Sequence, residues 1–184
     1  LETNDLDHNT IILYSSDQGF FLGEHGWFDK RWIYEESLWT PLLMQWKDAS
    51  GVSLLPSGAQ ITEPVQVIDF APTLLDAADV TGFTPLPGES FLGFATTASG
   101  DEPSVWRDAI YYHYIQQGGG VQVMAHYGVR DDRYKLVHLY EIGQWEMYDL
   151  QNDPYELNNL LFDADTGTLT DPTHEITGTP EERN

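Results

Sequence analysis

The chain of 184 residues contains no cysteine. Disulfides and thiolate chemistry are thereby excluded within it, although the absence does not fix a compartment. Cations are scarce as well: eight Lys and Arg stand against thirty Asp and Glu, a formal net charge of −22. Nucleic acid held through its phosphates needs clustered Lys and Arg, so that class of partner is excluded. No apolar run approaches the roughly 18 residues of a membrane span, and no membrane partner is expected. The 41% apolar content is nonetheless ordinary for a folded chain, so global disorder is excluded too.

What is present is unevenly distributed. Thr10 to Tyr14 is a short apolar, β-prone run that reads as a buried strand. Directly after it, residues 15–31 bring together Asp17, Gln18, His25, Asp29, Lys30 and Arg31, with Gly19, Gly23 and Gly26 between them. In α/β proteins ligands bind beyond the carboxyl ends of strands, where this segment begins. Five of the eight cations, Lys30, Arg31, Arg130, Arg133 and Lys135, fall in this stretch and in one other. An acidic exterior with cations kept for a site would focus positive potential on an anion. A solubility adaptation to a saline habitat is the plainer cause of the net charge.

Further along, Trp32 to Leu38 reads as a helix stopped by Thr40-Pro41. Leu42 to Trp46 reads as a strand buried on both faces, and 47–60 as a loop. Asp69 is placed as the N-cap of a helix with Pro72 in its first turn, burying Phe70, Leu74 and Ala78 with Leu75 beside them. Residues 81–104 read as a linker. The segments 109–115, 121–130, 134–140 and 144–148 have the spacing of an antiparallel meander, with Gly118 to Gly120 as a flexible connection. From Asp163 onward no apolar period is left, and an irregular tail is expected.

The run Ser16-Asp17-Gln18-Gly19, Leu22-Gly23-Glu24-His25-Gly26, Asp29-Lys30-Arg31, Tyr34-Glu35-Glu36-Ser37 and Thr40-Pro41-Leu42-Leu43 resembles the second active-site motif of type I sulfatases. Those are the formylglycine-dependent members of the alkaline phosphatase superfamily, and the form is most like bacterial polysaccharide sulfatases. The stretch His126 to Leu136 and the run Tyr148 to Glu156 resemble the C-terminal subdomain of the same enzymes. The fold implied is α/β: residues 1–100 as the C-terminal portion of the catalytic domain, 101–162 as a small antiparallel subdomain, and 163–184 as a tail. The family's Cys (or Ser)-x-Pro-x-Arg motif, source of the formylglycine nucleophile, is not in this sequence. The nucleophile and the remaining metal ligands are therefore expected in an N-terminal part of the same enzyme, and no hydrolysis is expected from this chain alone.

By this resemblance Asp17 and Gln18 help to hold Ca²⁺, with Mg²⁺ as the alternative, through hard oxygen donors. Taken as a bare tripeptide, Asp17-Gln18-Gly19 reads as an ordinary turn. The resemblance puts Lys30 on the sulfate, where it stabilises charge developing on oxygen. His25 could donate to a sulfate oxygen, transfer a proton or support the site from behind. Asp29 and Arg31 either read sugar hydroxyls or pair with each other. His126 is expected to contact the sugar, and Trp27 is equally open to sugar stacking or core packing. The implied activity is hydrolysis of sulfate esters on a sulfated saccharide by a periplasmic or secreted bacterial enzyme. The rivals are a phosphodiesterase or phosphonate hydrolase of the same superfamily, and a non-catalytic calcium- or glycan-binding module.

Overall fold

A computed structural model describes residues 1–82, 84–96, 105–115, 123–170 and 172. The fold is mixed α/β with antiparallel sheets, and the chain divides into two compact units. Each is built from two separated segments. Residues 1–17 and 40–108 make the first, and residues 18–39 and 109–184 the second. Among the described residues no helix is long and apolar enough to cross a membrane.

In the first unit, β1 (Thr10–Ser15) pairs antiparallel with β2 (Leu42–Lys47), Thr10 opposite Lys47 and Ser15 opposite Leu42. The strand expected at 42–46 is present but is not buried on both faces. Leu43 is 65% exposed while Leu42, Met44 and Trp46 are half-buried, the alternation of a two-stranded ribbon solvated on one side. Lys47 is ion-paired with the buried Asp7.

A 3-10 turn, Val67–Asp69, runs into α2 (Phe70–Ala77), and α3 (Leu92–Ala95) packs beside it. Two expectations are corrected here. Asp69 does not cap the helix with its side chain. Its fully buried carboxylate accepts from the backbone N–H groups of Gln66 and Glu89 and is ion-paired with Arg107. The buried helix residues are Pro72 and Thr73, with Leu74 turned out to 42% exposure. The inward side is the one tied through Thr73, whose hydroxyl donates back to Asp69 O. The expected linker is also partly structured: Phe91 and Ala95 are buried, and the Phe91 N–H donates to the Thr73 hydroxyl. Residues 83 and 97–104 of that stretch lie outside the described residues.

The second unit is built on the meander β3 (Ile110–Tyr114), β4 (His126–Arg130), β5 (Tyr134–Leu139) and β6 (Gln144–Asp149), four strands in sequence order. Gly118 to Gly120 lie outside the described residues. Onto one sheet face folds the 18–39 segment, whose Phe21, Trp32, Ile33 and Tyr34 join Val123, Val137, Leu139 and Tyr148 in one core. Each large side chain so buried contributes about 1.5–3 kcal/mol. Gly128 on β4 leaves the gap that Ile33 fills, since a Cβ there would stand 2.6 Å from the Ile33 Cδ1 and 2.7 Å from Leu136 O.

The helix expected over 32–38 is confined to one turn, α1 (Glu35–Leu38). Trp32, Ile33 and Tyr34 are all buried in succession, which a helix cannot do against a single surface. Nor is the tail wholly irregular: β7 (Phe162–Asp163) and β8 (Thr168–Leu169) form a small hairpin with Gly167 at φ 68°. Residues 171 and 173–184 lie outside the described residues.

Arg133, at the start of β5, is ion-paired with Asp149 at the end of β6 (2.8 Å). That guanidinium, helped by the Asn152 amide, holds the Asp149 carboxyl down at about 2. The folded pKa lies below the unfolded value of about 3.9, so the stabilisation is complete above that value and fades as pH falls toward 2. Thermal melts of the wild type and Asp149→Asn should differ at neutral pH and converge between about pH 4 and pH 2. A gap that persists unchanged at pH 2 would show that the ionised pair is not its source.

Candidate functional site

β1 ends at Ser15, and Asp17 and Gln18 follow it. Asp17 is exposed and receives a long contact from the Ser16 hydroxyl (3.4 Å), while Gln18 is half-buried. Gly19 is required by close approach. Its N–H donates to Ser37 O at 2.7 Å, and a Cβ would fall 2.0 Å from the carbonyl oxygen of Glu36. From there the chain loops through Phe21, whose N–H donates to Asp29 O (2.7 Å) and closes the 21–29 segment.

Inside this loop Gly23, His25 and Gly26 take φ of 135°, 53° and 75°. Neither Gly23 nor Gly26 is required by close approach, since a Cβ there would meet open space. They serve left-handed turn conformations instead. The result tucks His25 inward. Its ring stacks on Tyr34 (4.2 Å), meets Phe21 edge-on, and sets Nε2 3.5 Å from a Glu36 carboxylate oxygen. The His25 side chain is 12% exposed.

Asp29 and Arg31 are ion-paired, with both carboxylate oxygens of Asp29 accepting from Arg31 Nη1. This hydrogen bonding keeps the Arg31 pKa above its ordinary value. The pair leaves the Nε and Nη2 donors of Arg31 without a partner among the described residues. Arg31 O in turn accepts from the Tyr112 hydroxyl (2.8 Å).

His126 is fully buried between the rings of Trp32 (5.0 Å), Tyr112 (5.7 Å) and Tyr114 (5.7 Å). Burial holds its imidazole below the usual pKa, hence neutral near pH 7. Nδ1 lies 2.8 Å from Met124 O, which puts the proton there, while the buried Nε2 has no partner among the described residues. Tyr112 thus touches both the Arg31 backbone and the His126 ring. Trp27, 38% exposed, leans on Trp32 at 5.4 Å.

Lys30 differs from every other described Lys and Arg residue. Arg31, Lys47, Arg107, Arg130, Arg133 and Lys135 are each ion-paired with a carboxylate. Lys30 alone among the described Lys and Arg residues has neither an ion pair nor a hydrogen-bond partner for its ammonium group, and it is exposed. In a chain with thirty acidic residues, an unpaired lysine flanked by a closed Asp29–Arg31 pair is available to an external anion.

Among the described residues no three His, Asp or Glu side chains converge into a metal cage. A Ca²⁺ ion takes about six to eight oxygen ligands. The carboxylate of Asp17 and the amide oxygen of Gln18 are hard oxygen donors of the kind such an ion takes.

Contacts that the sequence pattern does not specify lie behind the loop. Lys135 is fully buried and ion-paired with Glu35 (2.8 Å) and Glu156 (2.7 Å). Glu156 also accepts from the Glu35 N–H at 2.7 Å, and Arg130 contacts Glu35 from β4 at 3.2 Å. Despite burial, Lys135 and Arg130 hold the Glu35 carboxyl below its ordinary pKa, whereas at Glu156 burial prevails and raises it. The Ser37 hydroxyl donates to Lys30 O at 2.6 Å. A signal for Lys135 was present: it falls in phase with Val137 and Leu139, on the buried face of β5.

This fold and motif loop are those of a sulfatase C-terminal region. The chain belongs to the family described as N-sulphoglucosamine sulphohydrolase, C-terminal, whose pattern matches residues 23–177. It is 44% identical over 158 residues to an N-acetylglucosamine-6-O-sulfatase of Bacteroides thetaiotaomicron, covering 85% of this chain and 27% of that protein. An arylsulfatase of Clostridium perfringens is 31% identical, covering 84% of this chain and 30% of the relative. Among solved structures, BT4656 in complex with its substrate D-glucosamine-2-N,6-O-disulfate matches with a TM-score of 0.75 at 42% identity, over 89% of this chain and 32% of that one. The chain therefore spans well under half the length of the relatives it matches.

Proposed function

We propose that this chain is the C-terminal part of an enzyme that hydrolyses sulfate esters on a sulfated saccharide, most specifically a 6-O-sulfated glucosamine. The observation that carries the reading is Lys30, an exposed cation without a partner among the described residues, inside the stretch that matches the family. The sugar class follows from relatives whose names specify N-acetylglucosamine 6-O-sulfate and a disulfated glucosamine.

Formylglycine and Ca²⁺, when present in the complete site, would supply the nucleophile and polarise the sulfate oxygens. The rest falls to residues of this chain. Asp17 and Gln18 would hold the metal. Lys30 donates to a sulfate oxygen and stabilises charge as the ester bond breaks. His25, packed on Tyr34, keeps the loop in shape. Arg31 offers its two unused donors to sugar hydroxyls, with Asp29 fixing its orientation. The Nε2 of His126, carrying no proton when Nδ1 does, is an acceptor that a sugar hydroxyl would meet only by displacing one of the rings that bury it. A periplasmic or secreted setting suits such a polymeric substrate.

The test uses the full-length enzyme and two substrates. Removing a hydrogen-bond partner of a sugar hydroxyl costs roughly 1–3 kcal/mol on the substrate that carries the hydroxyl. Arg31→Ala and His126→Ala should therefore impair turnover of a 6-O-sulfated glucosamine far more than of a small aryl sulfate. Equal losses on both substrates would assign these residues to the sulfate or the fold.

A further inference from the structure

Nothing but its own backbone holds the Lys30 ammonium in place, because the side chain is exposed and without a partner among the described residues. The one side-chain hydrogen bond to that backbone among the described residues comes from Ser37, 3% exposed, whose hydroxyl donates to Lys30 O at 2.6 Å. Ser37 lies on α1, four residues long, too short to be stable by itself. The position of α1 must be imposed from outside.

One fixture on α1 is the buried ion cluster. Lys135 reaches Glu35 at 2.8 Å and Glu156 at 2.7 Å, and the second Glu156 oxygen accepts the Glu35 N–H at 2.7 Å. Lys135 and Glu156 are 0% and 2% exposed, and Glu156 holds a left-handed φ of 51°. Buried ion clusters are weak sources of net stability compared with apolar side chains of the same volume. What they supply is a defined geometry.

We propose that Lys135 and Glu156 are positioning residues for Lys30, acting through Glu35, α1 and the Ser37 hydroxyl. The inference rests on Lys30 facing the sulfate. Two side chains of the C-terminal meander region thus set the aim of a cation far away in sequence, with no contact to the substrate themselves.

The test is a set of cycles in the full-length enzyme, with Ser37→Ala and Lys135→Met each made alone and combined with Lys30→Ala. Misplacing a reacting group costs on the order of tenfold or more in rate, so kcat should fall by that factor in each single variant, with KM little changed. In the Lys30→Ala background neither change should lower kcat further, since there is no ammonium left to aim. Ser37→Ala removes one hydrogen bond and leaves the ion cluster whole, so it keeps the test open should Lys135→Met fold poorly. Equal losses in both backgrounds would overturn the proposal and assign these residues to the fold alone. If the wild type hydrolyses no sulfate ester, the sulfatase reading falls, and hydrogen exchange over residues 29–32 decides the relay. Faster exchange in both variants would uphold it, and unchanged exchange would overturn it.

Discussion

Lys30→Ala in the full-length enzyme should lower sulfate release by about 10²-fold or more, the usual loss when one donor to a developing oxyanion is removed. The size of the effect follows from the electrostatics of the loop. Other described lysines and arginines have their charge largely neutralised by a carboxylate, so none stands ready to substitute. Arg31, the nearest in sequence, is committed to Asp29 through Nη1. The drop should fall on kcat, because the interaction strengthens as charge builds on the leaving oxygen. A steady-state comparison on one aryl sulfate measures it. A loss below about threefold would remove Lys30 from the site.

The second large effect concerns stability. Lys135→Met leaves Glu156 buried with no cation and Glu35 with Arg130 alone. Removing one partner of a buried charge cluster typically costs about 3–5 kcal/mol, mostly from the charge left behind. Denaturant unfolding of the whole chain should show a loss of that order. The double change Lys135→Met with Glu156→Gln should recover a good part of it, because the stranded carboxylate is then gone. If the single variant is as stable as the wild type, water must reach the cluster and the charges are not truly buried.

Where the sequence was legible, one physical signal dominated its surroundings. The meander could be read from evenly spaced β-prone segments, because each strand of an antiparallel sheet announces itself locally. The motif loop was legible because polar groups crowd after a strand. The errors arose where burial depended on a partner distant in sequence. Trp32, Ile33 and Tyr34 have the composition of a helix face, yet the sheet of the same unit draws all three into one core. Leu43 looks like a core residue, but β2 has only β1 beside it among the described residues. Asp69 looks like a helix cap, and Arg107, much later in the chain, claims it. Of the site, Asp29 and Arg31 are legible as close neighbours with two open readings, and the structure pairs them. The Ser37 hydroxyl on Lys30 O could not be foreseen, since it depends on how α1 docks.

The most direct test of the central claim is the anion released by the full-length enzyme, supplied with matched 6-O-sulfated and 6-O-phosphorylated N-acetylglucosamine. Ion chromatography reads both products in one run. The expected result is sulfate release that depends on Lys30, with phosphate release far slower. Phosphate as the main product, or sulfate release unaffected by Lys30→Ala, would contradict it.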